Sequence, residues 1–171
     1  MSIDDKKATA YHEAGHYLVW RLSSNILKNQ KGIAVSIMPA EDYLGVTVFD
    51  DLTDEVSINP NRDYFIKSFA GDLAGRIAEE LFIFDVNSGA SSDLEYVNKK
   101  AYTMICNYAM NGKDDYSIYI EDDHYHMINE KTIDMINQER AKLLKDASDY
   151  AKGILNDNRE ILDKLVNALL E

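Results

Sequence analysis

The sequence predicts a mainly α fold carrying a small β element, and three observations lead there. Five segments show apolar residues at helical spacing without an internal proline. Two short β-branched stretches lie between the first and second of these segments. The chain holds only two prolines in 171 residues, so little interrupts its helical patterns.

The first helix is expected from Asp4 to Ser24, with Ser2 and Asp5 spaced as a capping box at its start. Ala8, Tyr11, Leu18, Val19 and Leu22 gather on one side of its wheel, with Ala14 at the margin. Ile33–Ile37 alternates and is β-branched, and Pro39 ends it. Glu41-Asp42 reads as a turn, and Gly45–Phe49 as the second arm of a hairpin. Residues 50–61 are acidic and loop-like. A second helix is expected from Asp63 to about Phe84 on the stripe Phe65, Phe69, Leu73, Ile77 and Leu81. The turn Asn87-Ser88-Gly89 precedes a third helix, Ser91 to Met110, for which Ser92 and Glu95 fit a second capping box. Asn111-Gly112 and an acidic stretch to Asp123 break the pattern. Helices over 129–156 and 159–170 complete the chain. With no repeat, low-complexity segment or long linker, residues 1–171 read as a single domain.

Bulk composition narrows the function. Acidic residues outnumber basic ones 30 to 18, a formal charge of −12, which opposes phosphate-backbone binding and anionic membrane surfaces. No apolar run approaches the roughly 20 residues that span a bilayer. Asp4 and Asp5 stand where a signal peptide would be apolar. Cys106 is the sole cysteine, so there is neither a disulfide framework nor a cysteine-rich metal module, and it reads as a small buried hydrophobe. An intracellular, cytoplasmic setting, without nucleic acid or membrane contact by this segment, is expected.

The most informative stretch is His12-Glu13-Ala14-Gly15-His16, inside the first helix. An α-helix turns every 3.6 residues, so imidazoles at i and i+4 lie on one face and can converge on one ion. Glu13 then projects beside the ion, where its water would sit. That is the arrangement of a zinc peptidase: two Zn²⁺ ligands and a general base from one helical turn. The bare pattern also occurs by chance as ordinary helix residues. Gly15, which costs about 1 kcal/mol relative to Ala in a helix interior, suggests that another backbone or a ligand packs closely there.

A catalytic zinc takes a third protein ligand. His124 and His126 lie in an acidic loop and read as solvated, and no third histidine follows the motif closely. Asp93, Glu79 and Glu80 are the better candidates, and spacing does not choose among them. Asp93 also reads as a first-turn acid stabilised by the helix dipole, an effect of about 0.3–1 kcal/mol.

Several segments resemble, in order, the peptidase domain of the FtsH-type ATP-dependent zinc metalloproteases. They are Ala10-Tyr-His-Glu-Ala-Gly-His16, Leu44-Gly-Val-Thr47, Ala74-Gly-Arg-Ile-Ala-Glu-Glu-Leu81, Ser88-Gly-Ala-Ser-Ser-Asp-Leu-Glu95 and Asn158-Arg-Glu-Ile-Leu-Asp-Lys-Leu165. The resemblance runs from about Lys7 to Glu171. It implies a zincin-like metal helix, His12, His16 and Asp93 as ligands, and Glu13 as catalytic base. One of Glu79 and Glu80 would then orient a ligand histidine through its other ring nitrogen. It also implies a metalloendopeptidase acting on unfolded or flexible polypeptides, a homo-hexamer, an AAA unfoldase in cis or in trans, and a cytosolic domain of membrane-anchored proteins. Departures fall at Ala74, at Ala40 after Pro39, and at residues 107–123, where the family carries Trp-Gly and Leu-Gly-Pro motifs. These touch oligomer packing and substrate channel more than the metal chemistry. No Gly-x-x-x-x-Gly-Lys-Ser/Thr loop occurs in the 171 residues, so the chain reads as an excised peptidase domain or a stand-alone relative. The competing reading is a non-catalytic zinc-binding relative that serves as a peptide- or partner-binding module.

Overall fold

The computed structural model describes residues 2–23, 31–39, 44–50, 60–84, 88–110, 120 and 128–171. The fold is mainly α with a small β element, as the periodicity predicts. The described elements are α1 (Ile3–Leu22), β1 (Lys31–Ser36), β2 (Val46–Asp50), α2 (Arg62–Phe82), a 3₁₀ turn (Ser88–Ala90), α3 (Ser91–Cys106), α4 (Glu130–Asp157) and α5 (Arg159–Leu170). None of the described helices is long and apolar enough to cross a membrane.

Local chemistry sets most of the helix ends. Ser2 caps α1 through the expected reciprocal pair: Asp5 N–H donates to the Ser2 hydroxyl, and Ser2 N–H donates to the Asp5 carboxylate. The side chains of Asn61 and Asn129 accept from Tyr64 N–H and Thr132 N–H at the starts of α2 and α4. α3 begins at Ser91 as expected but lacks the expected capping box, and it ends early. Its N-cap is Ala90, with no side-chain cap, because the 3₁₀ turn runs directly into the helix and leaves Ser92 already inside it. It stops at Cys106 rather than Met110. There Asn107 turns back to donate to the Ile120 carbonyl, and Ala109 adopts a left-handed φ of 52°.

α1 and α2 form the centre of the packing. Ala70, Ala74 and Ala78 make a fully buried row of small residues on α2, at i, i+4 and i+8. Gly15 faces that row. A Cβ there would lie 2.7 Å from the Ala74 carbonyl oxygen and 2.8 Å from the Ala78 Cβ, so the costly glycine permits the close backbone approach that the sequence suggests. α5 packs on α1, while α4 lies across α2 and α3. The core joins Val19, Phe69, Met104, Leu143, Leu155 and Leu162. Cys106 is buried, as expected; Leu22, expected on the apolar face, is exposed at the C-terminal end of α1.

Polar ties fix the outer helices. Tyr11 donates to Asp163 of α5 at 2.8 Å, and the Arg159 guanidinium stacks 3.9 Å over the Phe82 ring at the end of α2. Arg62 bridges the Glu139 carboxylate (2.7 Å) and the Met110 carbonyl (3.1 Å). β1 and β2 pair antiparallel in the register Ala34↔Val48, Val35↔Thr47 and Ser36↔Val46, with an irregularity between Lys31 and Ala34. The two strands expected from the sequence therefore pair, β1 starting two residues and ending one residue before its expected limits and β2 shifted one residue later. The expected turn at Glu41-Asp42 lies outside the described residues, as do the acidic loop 51–59 and the stretches 111–119 and 121–127.

At the end of α2, Phe84 N–H donates back to the Glu79 carbonyl while Phe84 itself sits at φ 60° and 87% exposed. A left-handed conformation costs a bulky residue about 1–2 kcal/mol, and this side chain recovers little of it through burial. Phe84→Gly is expected to raise stability by about 1 kcal/mol in urea unfolding, since the glycine's extra unfolded-state entropy offsets part of the relief.

Candidate metal centre

One turn of α1 brings His12 and His16 to the same face, and the close approach of α2 sets what lies behind each ring. His16 Nδ1 donates to the Gly71 carbonyl at 2.7 Å, and His12 Nδ1 meets the buried Glu79 carboxylate at 2.5 Å. With both Nδ1 atoms engaged, both Nε2 atoms turn toward a common point, 3.0 Å apart. Two lone pairs at that separation repel unless a cation, a proton or a metal ion, lies between them.

The third donor comes from α3. Its 3₁₀ entry aims Asp93, in the first helical turn, back at the two rings, with Oδ2 3.3 Å from His12 Nε2 and 3.4 Å from His16 Nε2. The three donor atoms thus make a triangle with edges of 3.0, 3.3 and 3.4 Å. Bonds of 2.0–2.1 Å in tetrahedral geometry require edges of about 3.3 Å. Among the described residues, His12, His16 and Asp93 form a group whose ligand atoms all lie within 4.8 Å of one another. Gly75 supplies the space: a Cβ there would stand 2.4 Å from His16 Nε2 and 2.6 Å from His12 Nε2. Two imidazoles, one carboxylate and the face of a glycine therefore fit a zinc ion.

Glu13 points into the same cleft although it is 7% exposed. Thr47 of β2 donates to Glu13 Oε2 at 2.6 Å and also lies 3.1 Å from the Glu13 carbonyl. Gly45 leaves room for the carboxylate, since a Cβ there would come within 3.0 Å of Oε1. The cleft holds about 490 Å³ and is lined by Leu44–Thr47 as well as Trp20, Asp72 and Tyr96.

Charge favours this grouping of donors. Burial alone would push the His12 imidazole down, but hydrogen bonds to Asp93 and Glu79 and the nearby Glu13 charge outweigh it and raise the ring to about 9. Burial likewise opposes Asp93 ionisation, and the two histidines overcome it, holding the carboxyl below the usual carboxylate range. Burial pushes Asp72 up to about 6 despite Lys100 and His16.

The residues singled out from sequence thus fall into two sets. His12, Glu13, His16 and Asp93 meet at one cleft, and Glu79 backs His12. Glu80 instead pairs with Arg76 at 3.0 Å along α2, away from the rings. His124 and His126 lie outside the described residues. Thr47, Gly75, Trp20 and Asp72 were not singled out. Thr47 and Gly75 lie within the family-like stretches, whereas nothing in the local pattern marks Trp20 or Asp72.

Two outcomes follow from this geometry. Asp93→Ala is expected to remove zinc on dialysis, whereas Glu79→Gln should weaken its affinity by roughly 10–100-fold and Glu80→Gln should leave it unchanged. Competition with a chromophoric chelator measures all three. The second outcome concerns pH. The His12 pKa is about 9 when folded, against an ordinary 6.5, so in the metal-free chain its contribution to stability is complete below about 6.5. It disappears as pH rises through about 9. Urea midpoints of chelated protein should therefore fall between pH 6.5 and 9.5. Zinc must displace that proton, so calorimetry in buffers of different ionisation enthalpy should show about one proton released per zinc at pH 7.

Comparison with known proteins places the chain in a family. The sequence profile of peptidase family M41 matches residues 1–171. An ATP-dependent zinc metalloprotease FtsH of Acidobacterium capsulatum is 33% identical over 98% of this chain and 27% of its own length. Its counterpart in Ruminiclostridium cellulolyticum is 34% identical over the whole chain and 28% of its own length. A third, FtsH 4 of Sorangium cellulosum, is 31% identical over the whole chain. The chain spans little more than a quarter of the length of these curated relatives. With the profile matched from end to end, the chain belongs to peptidase family M41.

Proposed function

We propose that residues 1–171 form one zinc metalloendopeptidase domain that hydrolyses peptide bonds of unfolded or flexible polypeptides. The observation that supports this most directly is the meeting of His12, His16 and Asp93 at zinc-ligand spacing, with the Glu13 carboxylate held in the same cleft by Thr47. A purely structural zinc site takes four protein ligands and has no use for a base. Here three donors among the described residues and an open cleft leave room for water and substrate.

His12 Nε2, His16 Nε2 and Asp93 Oδ2 would hold the ion. When bound, it supplies Lewis acidity, acidifying water and polarising a carbonyl. Glu13 is the group that moves the proton. Its Oε2 is engaged by the Thr47 hydroxyl, so Oε1 takes the proton from the attacking water and returns it to the departing amine nitrogen. Glu79 keeps the His12 Nδ1 proton in place, and the Gly71 carbonyl does the same for His16, which fixes both rings with Nε2 forward.

The substrate chain would lie along β2. Among the described residues β2 pairs only with β1, and Leu44–Thr47 line the cleft. An extended peptide can add there as a further strand, with main-chain hydrogen bonds giving affinity. Only polypeptide able to extend can do so, hence the expectation of flexible substrates. An ATP-driven unfoldase, joined to this chain or separate, and a ring of six copies are the partners implied by the family resemblance.

The decisive comparison is zinc-loaded wild type against Glu13→Gln on a flexible, casein-like substrate. Glu13→Gln should keep its zinc and lose at least about 100-fold in rate. Zinc retained with undiminished hydrolysis would remove Glu13 from the role. A variant pair equally inert would instead favour a zinc-binding module that cleaves nothing. A tightly folded control protein should resist the wild type.

A further inference from the structure

We propose that Asp72, walled by Trp20, forms a subsite in the cleft for a positively charged group of the polypeptide, the ammonium or guanidinium of a residue near the scissile bond. The inference rests on the peptidase reading only in naming polypeptide as the carrier of that charge.

Asp72 stands one residue after Gly71, whose carbonyl holds His16, so the fold fixes it beside the metal centre. It lines the cleft but is not among the ligand atoms grouped within 4.8 Å of one another. Its side chain is 13% exposed, and its buried Oδ2 has no hydrogen-bond donor among the described residues. A buried carboxylate oxygen without a donor is costly, by roughly 1–3 kcal/mol or more. The nearest cation, Lys100 Nζ, stops at 3.9 Å and lies instead 4.2 Å over the Tyr96 ring. The charge on Asp72 is therefore poorly compensated from within the protein, and the cleft that Asp72 lines is where a cation can approach it.

Two features select a cation over a neutral donor. Glu13, Asp72, Glu79 and Asp93 all line the cleft, and among the described residues no lysine or arginine does. Even a bound dication leaves that set short of positive charge, and the chain as a whole carries −12. The second feature is Trp20. A Cβ on Gly71 would fall 2.4 Å from the indole Cε2 and Nε1, so the absence of a side chain there lets the ring lie directly against the α2 backbone beside Asp72. An aromatic ring lining the same cleft as a carboxylate suits the alkyl stem and charged head of lysine or arginine.

Trp20 is the only tryptophan, so its fluorescence reports the subsite directly. The probes are end-capped octapeptides of alanine and leucine carrying one central lysine, norleucine or glutamate, titrated into the zinc-loaded Glu13→Gln chain. Lysine should bind about tenfold tighter than norleucine, and glutamate weakest. The lysine-to-norleucine ratio should collapse toward one in Asp72→Asn, survive in Asp72→Glu and invert toward glutamate in Asp72→Lys. A norleucine peptide with a free N-terminus gives the other source of the charge. If it, too, gains Asp72-dependent affinity, the subsite also accepts a terminal ammonium. Equal binding of the three capped peptides, or a lysine preference that persists in Asp72→Asn, would overturn the proposal. Should Asp72→Asn not fold, Lys100→Gln decides: removing the competing Nζ should tighten lysine binding severalfold, and unchanged or weaker binding counts against the subsite. Hydrolysis of the same peptides by wild type separates the two claims. Asp72-dependent binding without any cleavage would defeat the peptidase reading and leave the subsite standing.

Discussion

The approach of α1 to α2 governs everything else, and it depends on what is missing from both helices. Gly15 against Ala74 and Ala78 lets the backbones come within van der Waals reach. Gly75 and Gly71, each one position after an alanine of that row, then leave space for the His12 and His16 rings and for the Trp20 indole. Any larger residue in this row would separate the helices or displace a ring. Because the helices touch, the Gly71 carbonyl and Glu79 stand at hydrogen-bond distance from the two Nδ1 atoms. Small side chains thus set helix spacing, helix spacing sets ring orientation, and ring orientation decides that both Nε2 atoms face one point.

Much of this was legible in the sequence because it is local. The i, i+4 histidines, the capping box at Ser2 and the apolar stripe of α2 all follow from helical period, and the five helices emerge within a few residues of their expected limits. The exceptions have physical causes. The second capping box at Ser92 and Glu95 does not form because a 3₁₀ turn, not an extended residue, leads into α3. Ala90 at ψ 7° therefore occupies the cap, and the Ser92 hydroxyl has no free N–H ahead of it to serve. α3 ends early because the chain after Cys106 is drawn toward Ile120, a long-range bond with no local signal.

The site divides along the same line. His12, Glu13 and His16 share a helical turn and can be read together. Asp93 belongs to another helix, and spacing left it level with Glu79 and Glu80; the family resemblance made the choice. In the fold the three acids separate cleanly: Asp93 faces the Nε2 atoms, Glu79 stands behind His12, and Glu80 pairs with Arg76. Asp72 was opaque for a simple reason. On a helix, an aspartate between apolar neighbours reads as a solvated face, and only tertiary packing buries it.

The link between Thr47 and Glu13 bears on how the proposed chemistry would be timed to substrate. The Thr47 hydroxyl lies within hydrogen-bond distance of two acceptors, and the Glu13 carboxylate at 2.6 Å is a stronger partner than the carbonyl at 3.1 Å. Thr47 sits on the same strand whose edge lines the cleft. A two-stranded sheet is weakly held on its own, and a third strand, here a substrate segment, would stiffen it. On the proposed reading, the peptide that docks on β2 therefore also steadies the hydroxyl that orients the base. Alignment of Glu13 would be poorest in the free enzyme and best when a bond is in place to be cut, which confines proton transfer to the occupied cleft.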